Sequence, residues 1–236
     1  MRIKGIKIDE DVAKILNEQD NNFPPGSFAA WYGEDLTGQT YEGSINCSGN
    51  GLTSLFGCPS IVTGYFYCSE NQLTSLEGAP KEVGSGFYCY INKLTSLEGA
   101  PKVVGWSFEC YDNQLTSLEG APKEVLGWFD CSDNKLTSLE GAPKEVGRYF
   151  DCSNNQLTSL EGSPKEVAGY FYCYSNKLTS LKGAPEKVLG RFDCSGNPDL
   201  KSLEGIGGVK GEIISALKSK KDTKSKNISR LSVFIL

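Results

Sequence analysis

The chain has no histidine and a single methionine among its 236 residues. Histidine is the commonest general base and metal ligand, so its absence argues against an enzyme or a metal site. The sequence also lacks a phosphate-binding loop, a long apolar run and, in its first residues, the apolar segment of a secretory signal. We therefore expect a non-enzymatic protein with no cofactor, no metal ion and no membrane span.

The net charge is distributed unevenly along the chain. The net charge is -5 at pH 7, which gives little general attraction to nucleic acid. Residues 216–236 contain six Lys and Arg against one Asp, so this segment carries +5 and the other residues carry -10. We expect no nucleic-acid partner.

Cysteine is plentiful, but no pair has the Cys-x-x-Cys spacing of many metal sites. Eight of the nine cysteines lie 21 residues apart: Cys47, Cys68, Cys89, Cys110, Cys131, Cys152, Cys173 and Cys194. Stacked strands place neighbouring Cβ atoms about 4.8 Å apart, against roughly 3.8 Å in a disulfide. Metal ligands would lie along a line rather than around a point. We therefore expect reduced, buried thiols, Cys58 included, and a reducing compartment: the cytoplasm, possibly that of a host cell.

The cysteines mark eight tandem copies of one motif. A fixed period of this length is typical of repeat architectures. In the third copy, Phe87 and Cys89 alternate with two tyrosines, which predicts a short strand with Phe and Cys facing inward. The copies share the pattern F-x-C-x-x-N-x-L-x-x-L.

This pattern resembles the leucine-rich repeat core L-x-L-x-x-N-x-L. The copies look like short bacterial-type leucine-rich repeats, and their LTSLEGAPKEV form is similar to repeat proteins of bacteria and tailed phages. The resemblance implies a repeat solenoid with a parallel β-sheet on one face and a short, irregular convex side. Gly-Ala-Pro disfavours a long helix there, so we expect a rather straight array. Some similar effectors carry a ubiquitin-ligase domain after the repeats, and with so few residues following we expect that activity to be absent.

The asparagine of each copy is expected to turn inward and to hydrogen-bond with backbone groups left open by the turn. This column contains Asn50, Asn71, Asn92, Asn113, Asn134, Asn155, Asn176 and Asn197. We predict a structural role for it.

Three parts are predicted along the chain. Residues 1–43 form an N-terminal cap, which contains a short helix at 8–19 and the aromatic residues Phe28, Trp31 and Tyr32. Residues 44–211 form the eight repeats. Residues 212–236 contain a degenerate last strand, a basic tail at 218–226 and an apolar C-terminal segment that closes the last edge. The alternative for both ends is a binding element.

The outward positions of the strands vary most between copies, whereas the return segment hardly changes. Exposed aromatic surface is typical of binding surfaces, although tyrosine also suits strands and stacks on its neighbours. The predicted partner-binding residues are Tyr65, Tyr67, Tyr88, Tyr90, Glu109, Tyr111, Trp128, Asp130, Tyr149, Asp151, Tyr170, Tyr172, Tyr174 and Asp193.

Glu109, Asp130 and Asp151 occupy the same position on three successive strands, and we call them the acidic row. Like charges directly opposite each other destabilise a pair of strands. Asp112 and Asp133 lie nearby in the sequence and deepen the negative field. The row predicts a protein partner with a basic or mixed patch. The alternatives are ordinary solvated carboxylates, a cation site, or the carboxylate pair of a retaining glycosidase, which an open ladder without a cleft disfavours.

The return segments carry columns of both charges, which we expect to form a solvated face that aids solubility. The Glu column contains Glu77, Glu98, Glu119, Glu140 and Glu161, and the Lys column contains Lys81, Lys102, Lys123, Lys144 and Lys165.

Two hypotheses for function follow from these features. The first is a protein–protein interaction module that binds a partner, possibly a host protein, through the aromatic and acidic strand positions. The second is a structural component of a virion or cell surface that self-associates through residues 28–32 and 230–236.

Overall fold

The structure is a computed structural model that describes residues 23–217. The helix predicted at 8–19, the basic tail and the apolar C-terminal segment lie outside these residues. The described chain forms a parallel β-solenoid with 21-residue turns, which is a leucine-rich repeat architecture. The predicted fold class is confirmed. A membrane-spanning helix needs a long apolar run, and none of the helices within residues 23–217 has one.

One face of the solenoid is a nine-stranded parallel sheet, and its outward side is called the strand face below. In chain order its strands are β2 (Ile45–Asn46), β4 (Phe66–Tyr67), β6 (Phe87–Tyr88), β8 (Phe108–Glu109), β10 (Phe129–Asp130), β12 (Phe150–Asp151), β14 (Phe171–Tyr172), β16 (Phe192–Asp193) and β17 (Ile213–Ile214). Neighbouring strands pair in register, so that Phe129 lies between Phe108 and Phe150. Equivalent residues of successive copies therefore stack in columns.

The return side also carries paired strands. They are β1 (Thr40–Tyr41), β3 (Ile61–Val62), β5 (Glu82–Val83), β7 (Val103–Val104), β9 (Glu124–Val125), β11 (Glu145–Val146), β13 (Glu166–Val167) and β15 (Lys187–Val188). They form two four-stranded parallel sheets, with the break between β7 and β9. The convex side, which was predicted to be irregular, therefore also contains short paired strands. A buried valine occupies the equivalent position in the strands from β3 to β15, and this β-branched residue favours strand structure.

A glycine begins each Gly-Ala-Pro turn because two requirements coincide there. Gly120 has φ +92°, a left-handed conformation that residues with a Cβ rarely adopt. A Cβ built at this position would lie 2.6 Å from the Leu97 carbonyl oxygen of the preceding copy. The turns therefore pack backbone against backbone.

The interior is made of columns of identical side chains. The seven phenylalanines from Phe66 to Phe192 are fully buried, with neighbouring ring centroids 5.1–5.6 Å apart. All nine cysteines are buried and unpaired, as predicted. Burial raises the pKa of thiols such as Cys131, so the column is protected from reaction.

The asparagine column ties neighbouring copies together. The Asn134 side-chain amide donates to the carbonyls of Cys110, Cys131 and Ser132 at 3.0–3.2 Å, and its oxygen accepts from the Leu115 N–H at 2.9 Å. The prediction was wrong for Asn50, which is exposed and donates to Ser48. Asn50 belongs to the first copy, so it has no preceding cysteine carbonyl to reach.

The helix α1 (Phe28–Tyr32) covers the first turn of the solenoid. Phe28 is buried with its ring 6.5 Å from Phe66, and its N–H donates to the Ser54 carbonyl. Ser27 caps the helix by accepting from the Ala30 N–H at 3.2 Å. These contacts bury apolar surface and satisfy backbone groups at the start of the array.

Candidate functional site: the strand face and its acidic row

The fourteen residues predicted from the sequence all belong to the outward positions of the strand-face sheet and its flanks. Twelve are half-buried, and two are exposed, Tyr65 at 38% and Tyr170 at 49%. They form three parallel columns, located three residues before, one residue before and one residue after each cysteine. The in-register pairing brings the members of each column together from positions 21 residues apart.

Aromatic side chains of adjacent copies stack on this face. The ring centroids of Tyr67 and Tyr88 are 4.7 Å apart and those of Tyr90 and Tyr111 are 4.5 Å apart, both with interplanar angles of 7°. On the opposite flank, Trp128 stacks on Tyr149 at 5.0 Å. Such pairs hold large rings in fixed positions before any partner arrives.

The acidic row lies between these stacks, with Asp130 paired in register to Glu109 on one side and to Asp151 on the other. Burial raises the pKa of Glu109 to about 7, and the charge of Asp130 adds to this effect. Burial and the same neighbour raise the pKa of Asp151 to about 6. Burial also raises the pKa of Asp130, against hydrogen bonds from Ser132. Glu109 therefore titrates close to neutral pH, and Asp151 titrates closer to neutral pH than an ordinary aspartate does.

Three aspartates of the strand face directly precede a cysteine, and serine hydroxyls donate hydrogen bonds to two of them. Sequence reasoning missed this role of the serines. The Ser132 N–H and hydroxyl donate to Asp130 Oδ1 at 3.0 and 2.6 Å, and Ser195 repeats both contacts with Asp193. The signal was present in the sequence, because Asp130, Asp151 and Asp193 are all followed by Cys-Ser. A short acceptor two residues before a serine is typical of such local turns.

Tyrosine side chains lie near the row. The three carboxylates contribute, after burial, to a rise in the pKa of Tyr149 to about 12. Glu109 acts in the same way on Tyr88, whose pKa burial raises to about 12. The carboxylates and phenols are thus close enough for the charge of one group to change the pKa of the other.

No basic side chain among the described residues pairs with the row. The ion pairs within 23–217 are Lys182–Glu161, Lys187–Glu166 and Arg191–Glu212, at 2.6–3.0 Å. Within the same residues no group of three or more Cys, Asp or Glu side chains is arranged to hold a metal ion.

The chain is similar to YopM from Yersinia enterocolitica WA-314. The two chains have 18% sequence identity and a TM-score of 0.38, over 89% of this chain and 61% of the YopM chain. This chain therefore spans less than two thirds of the length of that one. No protein-family model matches the sequence, and no curated protein matches it.

The strand face combines acidic and aromatic side chains. It presents three carboxylates that form no ion pair with a basic side chain of residues 23–217, flanked by stacked aromatic rings. Carboxylates accept hydrogen bonds from cationic donors, and aromatic faces attract cations. The side chains of this face can therefore accept hydrogen bonds from cationic donors.

Proposed function

We propose that the chain is a non-enzymatic protein-interaction module whose strand face binds a partner protein with a basic or mixed patch. One observation carries the proposal: Glu109, Asp130 and Asp151 are half-buried and in register, and no described basic residue neutralises them. A basic side chain from a partner would supply the missing charge.

The ionised acidic row destabilises the folded chain when no partner is bound. Because burial and mutual repulsion raise the pKa values of Glu109 and Asp151, ionising them in the folded state is less favourable than in water. A solenoid needs no carboxylate at this position, since Tyr67, Tyr88 and Tyr172 fill it in other copies. A binding role explains why three successive copies carry an acid there.

The aromatic stacks support the same proposal. Tyr and Trp supply large contact areas with a polar handle and lose little conformational entropy on binding. Their stacking on adjacent copies already restricts Tyr90, Tyr111, Trp128 and Tyr149, so a partner would meet a pre-organised surface. The nine unpaired thiols fit a protein that works in a reducing cytoplasm, and we include this location, possibly in a host cell, in the proposal.

The test is affinity capture with three forms of the protein. The row variant Glu109→Gln, Asp130→Asn, Asp151→Asn removes the charge with nearly unchanged shape. The control variant Glu98→Gln, Glu119→Gln, Glu140→Gln removes three exposed carboxylates from the return side. We expect the wild type and the control to retain the same protein from a lysate and the row variant to lose it.

Equal retention by all three forms would contradict the proposal, as would loss in the control alone. Each variant is first checked for cooperative unfolding, so that a lost partner is not confused with a lost fold.

A further inference from the structure

The last strand of the strand-face sheet, β17, pairs with a neighbour on one side only within residues 23–217. The Phe192 N–H donates to the Glu212 carbonyl, twenty residues later, at 2.8 Å, and the phenylalanines of earlier copies repeat this pattern. Because hydrogen bonds along a strand alternate between its two sides, the N–H groups of Ile213 and Ser215 point away from β16. This edge of the sheet can therefore accept another parallel strand.

The inner columns also lose cover at this end of the array. Phe192 is fully buried, whereas Ile213, its partner in register, is half-buried. Val188 and Val209 form the same kind of pair on the return side, the first fully buried and the second half-buried. One more element stacked on β17 would bury further apolar surface.

The sequence supplies a strand with the right spacing. The 21-residue interval holds between Phe192 and Ile213, although the eighth copy departs from the motif between them. The next interval leads from Ile213 to Phe234, and Leu236 then falls at the position of the cysteines. Apolar side chains therefore occupy both inward positions of a tenth strand, with Ile235 at the outward position between them.

We propose that residues 233–236 of this chain form a tenth strand of the strand-face sheet, paired in register with β17. Phe234 then stacks on Ile213 in the inner column. The N–H groups of Ile213 and Ser215 donate to the carbonyls of residues 233 and 235, as those of earlier copies do. The inference goes beyond the proposed function and does not depend on it.

The same chain is a better source of this strand than a second copy. Residues 215–232 separate β17 from the proposed strand by the same number of positions as in each earlier turn. A segment joined by so short a connection meets its own edge at an effective concentration on the order of millimolar. Residues 218–226 contain five Lys and one Asp, so that two copies brought together at this edge would also repel each other.

The experiment measures amide hydrogen exchange by NMR on the full chain and on two variants, Phe234→Asn and Ile235→Asn. The substituted positions are adjacent but face opposite sides, and Asn46 already occupies the outward position of β2. We expect the amides of Ile213 and Ser215 to exchange at least about tenfold faster in Phe234→Asn than in the wild type. Ile235→Asn should keep the slow exchange of the wild type.

An internal reference separates loss of the strand from loss of the fold. The Phe129 N–H donates to the Tyr149 carbonyl at 2.9 Å in the middle of the sheet. Its exchange should be equally slow in all three forms, because removing a terminal strand leaves the central copies in contact with their neighbours.

Rapid exchange of Ile213 and Ser215 in the wild type would overturn the inference, and so would equal exchange of these amides in the two variants. Slow exchange that depends on protein concentration, together with a dimer in analytical ultracentrifugation, would assign the edge to a second copy and would overturn it as well. The capture experiment on the acidic row leaves residues 233–236 unchanged, so its failure would contradict the proposed function alone.

Discussion

The inner columns and the strand face are built from alternating residues of the same two-residue strands, yet they follow opposite rules. Phe129 points inward and stacks between two identical rings, while Asp130 points outward and stands between two like charges. Inside, repetition adds favourable contacts with every copy. On the strand face, repetition of an acid adds repulsion.

This difference separates stability from recognition within one repeat. The inner columns hold nearly the same residues in every copy, whereas the outward positions exchange Tyr, Glu, Asp and Asn freely. Inward residues should therefore dominate the free energy of unfolding. Some outward residues should lower it, and the following predictions test the size and sign of these effects.

The largest effect is expected from Phe129→Ala, compared with Trp128→Ala at the adjacent position. Phe129 is fully buried and stacked on both sides, so its removal should lower the free energy of unfolding by about 3–5 kcal/mol. Trp128 is half-buried and its loss should cost about 1 kcal/mol. Chemical denaturation measures both, and equal losses would contradict the assigned faces.

A smaller loss is expected from Asn134→Ala. This change leaves three buried carbonyls and the Leu115 N–H without their partner, which should cost about 3 kcal/mol. Asn50→Ala, in the exposed first member of the column, should cost less than about 0.5 kcal/mol. Urea unfolding measures the free energy of unfolding of the two variants. A similar decrease in both would show that the asparagine column does not stabilise the contact between copies.

Neutral substitutions in the acidic row should raise the free energy of unfolding at pH 8 instead of lowering it. Because the folded state raises the pKa of Glu109 to about 7 and that of Asp151 to about 6, the stability that they contribute below about pH 4 is lost as pH rises through these values. Glu109→Gln with Asp151→Asn should therefore raise the free energy of unfolding by about 2 kcal/mol at pH 8, after allowance for solvent screening, and by almost nothing at pH 4.

Denaturation curves at both pH values test this effect, with Glu98→Gln and Glu119→Gln as the control on the return side. A wild type that gains stability relative to the Glu109→Gln, Asp151→Asn variant between pH 4 and pH 8 would be incompatible with raised pKa values.

The smallest effect concerns the residue two positions after each cysteine, which has a positive φ in every copy. Ile91 adopts φ 51° there, a conformation that is unfavourable for a β-branched side chain. Ile91→Asn should raise the free energy of unfolding by about 1 kcal/mol. The reverse change, Asn154→Ile at φ 53°, should lower it by a similar amount, and thermal unfolding that shows no difference in either direction would rule out this strain.

Much of the fold could be predicted from the sequence because side-chain direction in a strand depends on local periodicity. The 21-residue spacing indicated columns, and the alternation of Phe and Cys with polar or aromatic residues indicated which side faces inward. The acidic row followed from the same spacing. These features need only the repeat length and the period of two.

Other features depend on contacts between copies. Asn50 carries the motif of its column but stays exposed, because only the folded array shows that no preceding copy supplies its carbonyl partner. The return strands required stacking of short segments too brief to form alone.

The sequence by itself determined the repeat, its inward columns and the order of charges along the strand face. The tertiary structure decided how deeply Glu109 and Asp151 are buried and which aromatic rings lie near them. The physical reason is that burial and charge coupling arise between residues 21 positions apart, and their strength depends on side-chain geometry that a repeat pattern does not specify.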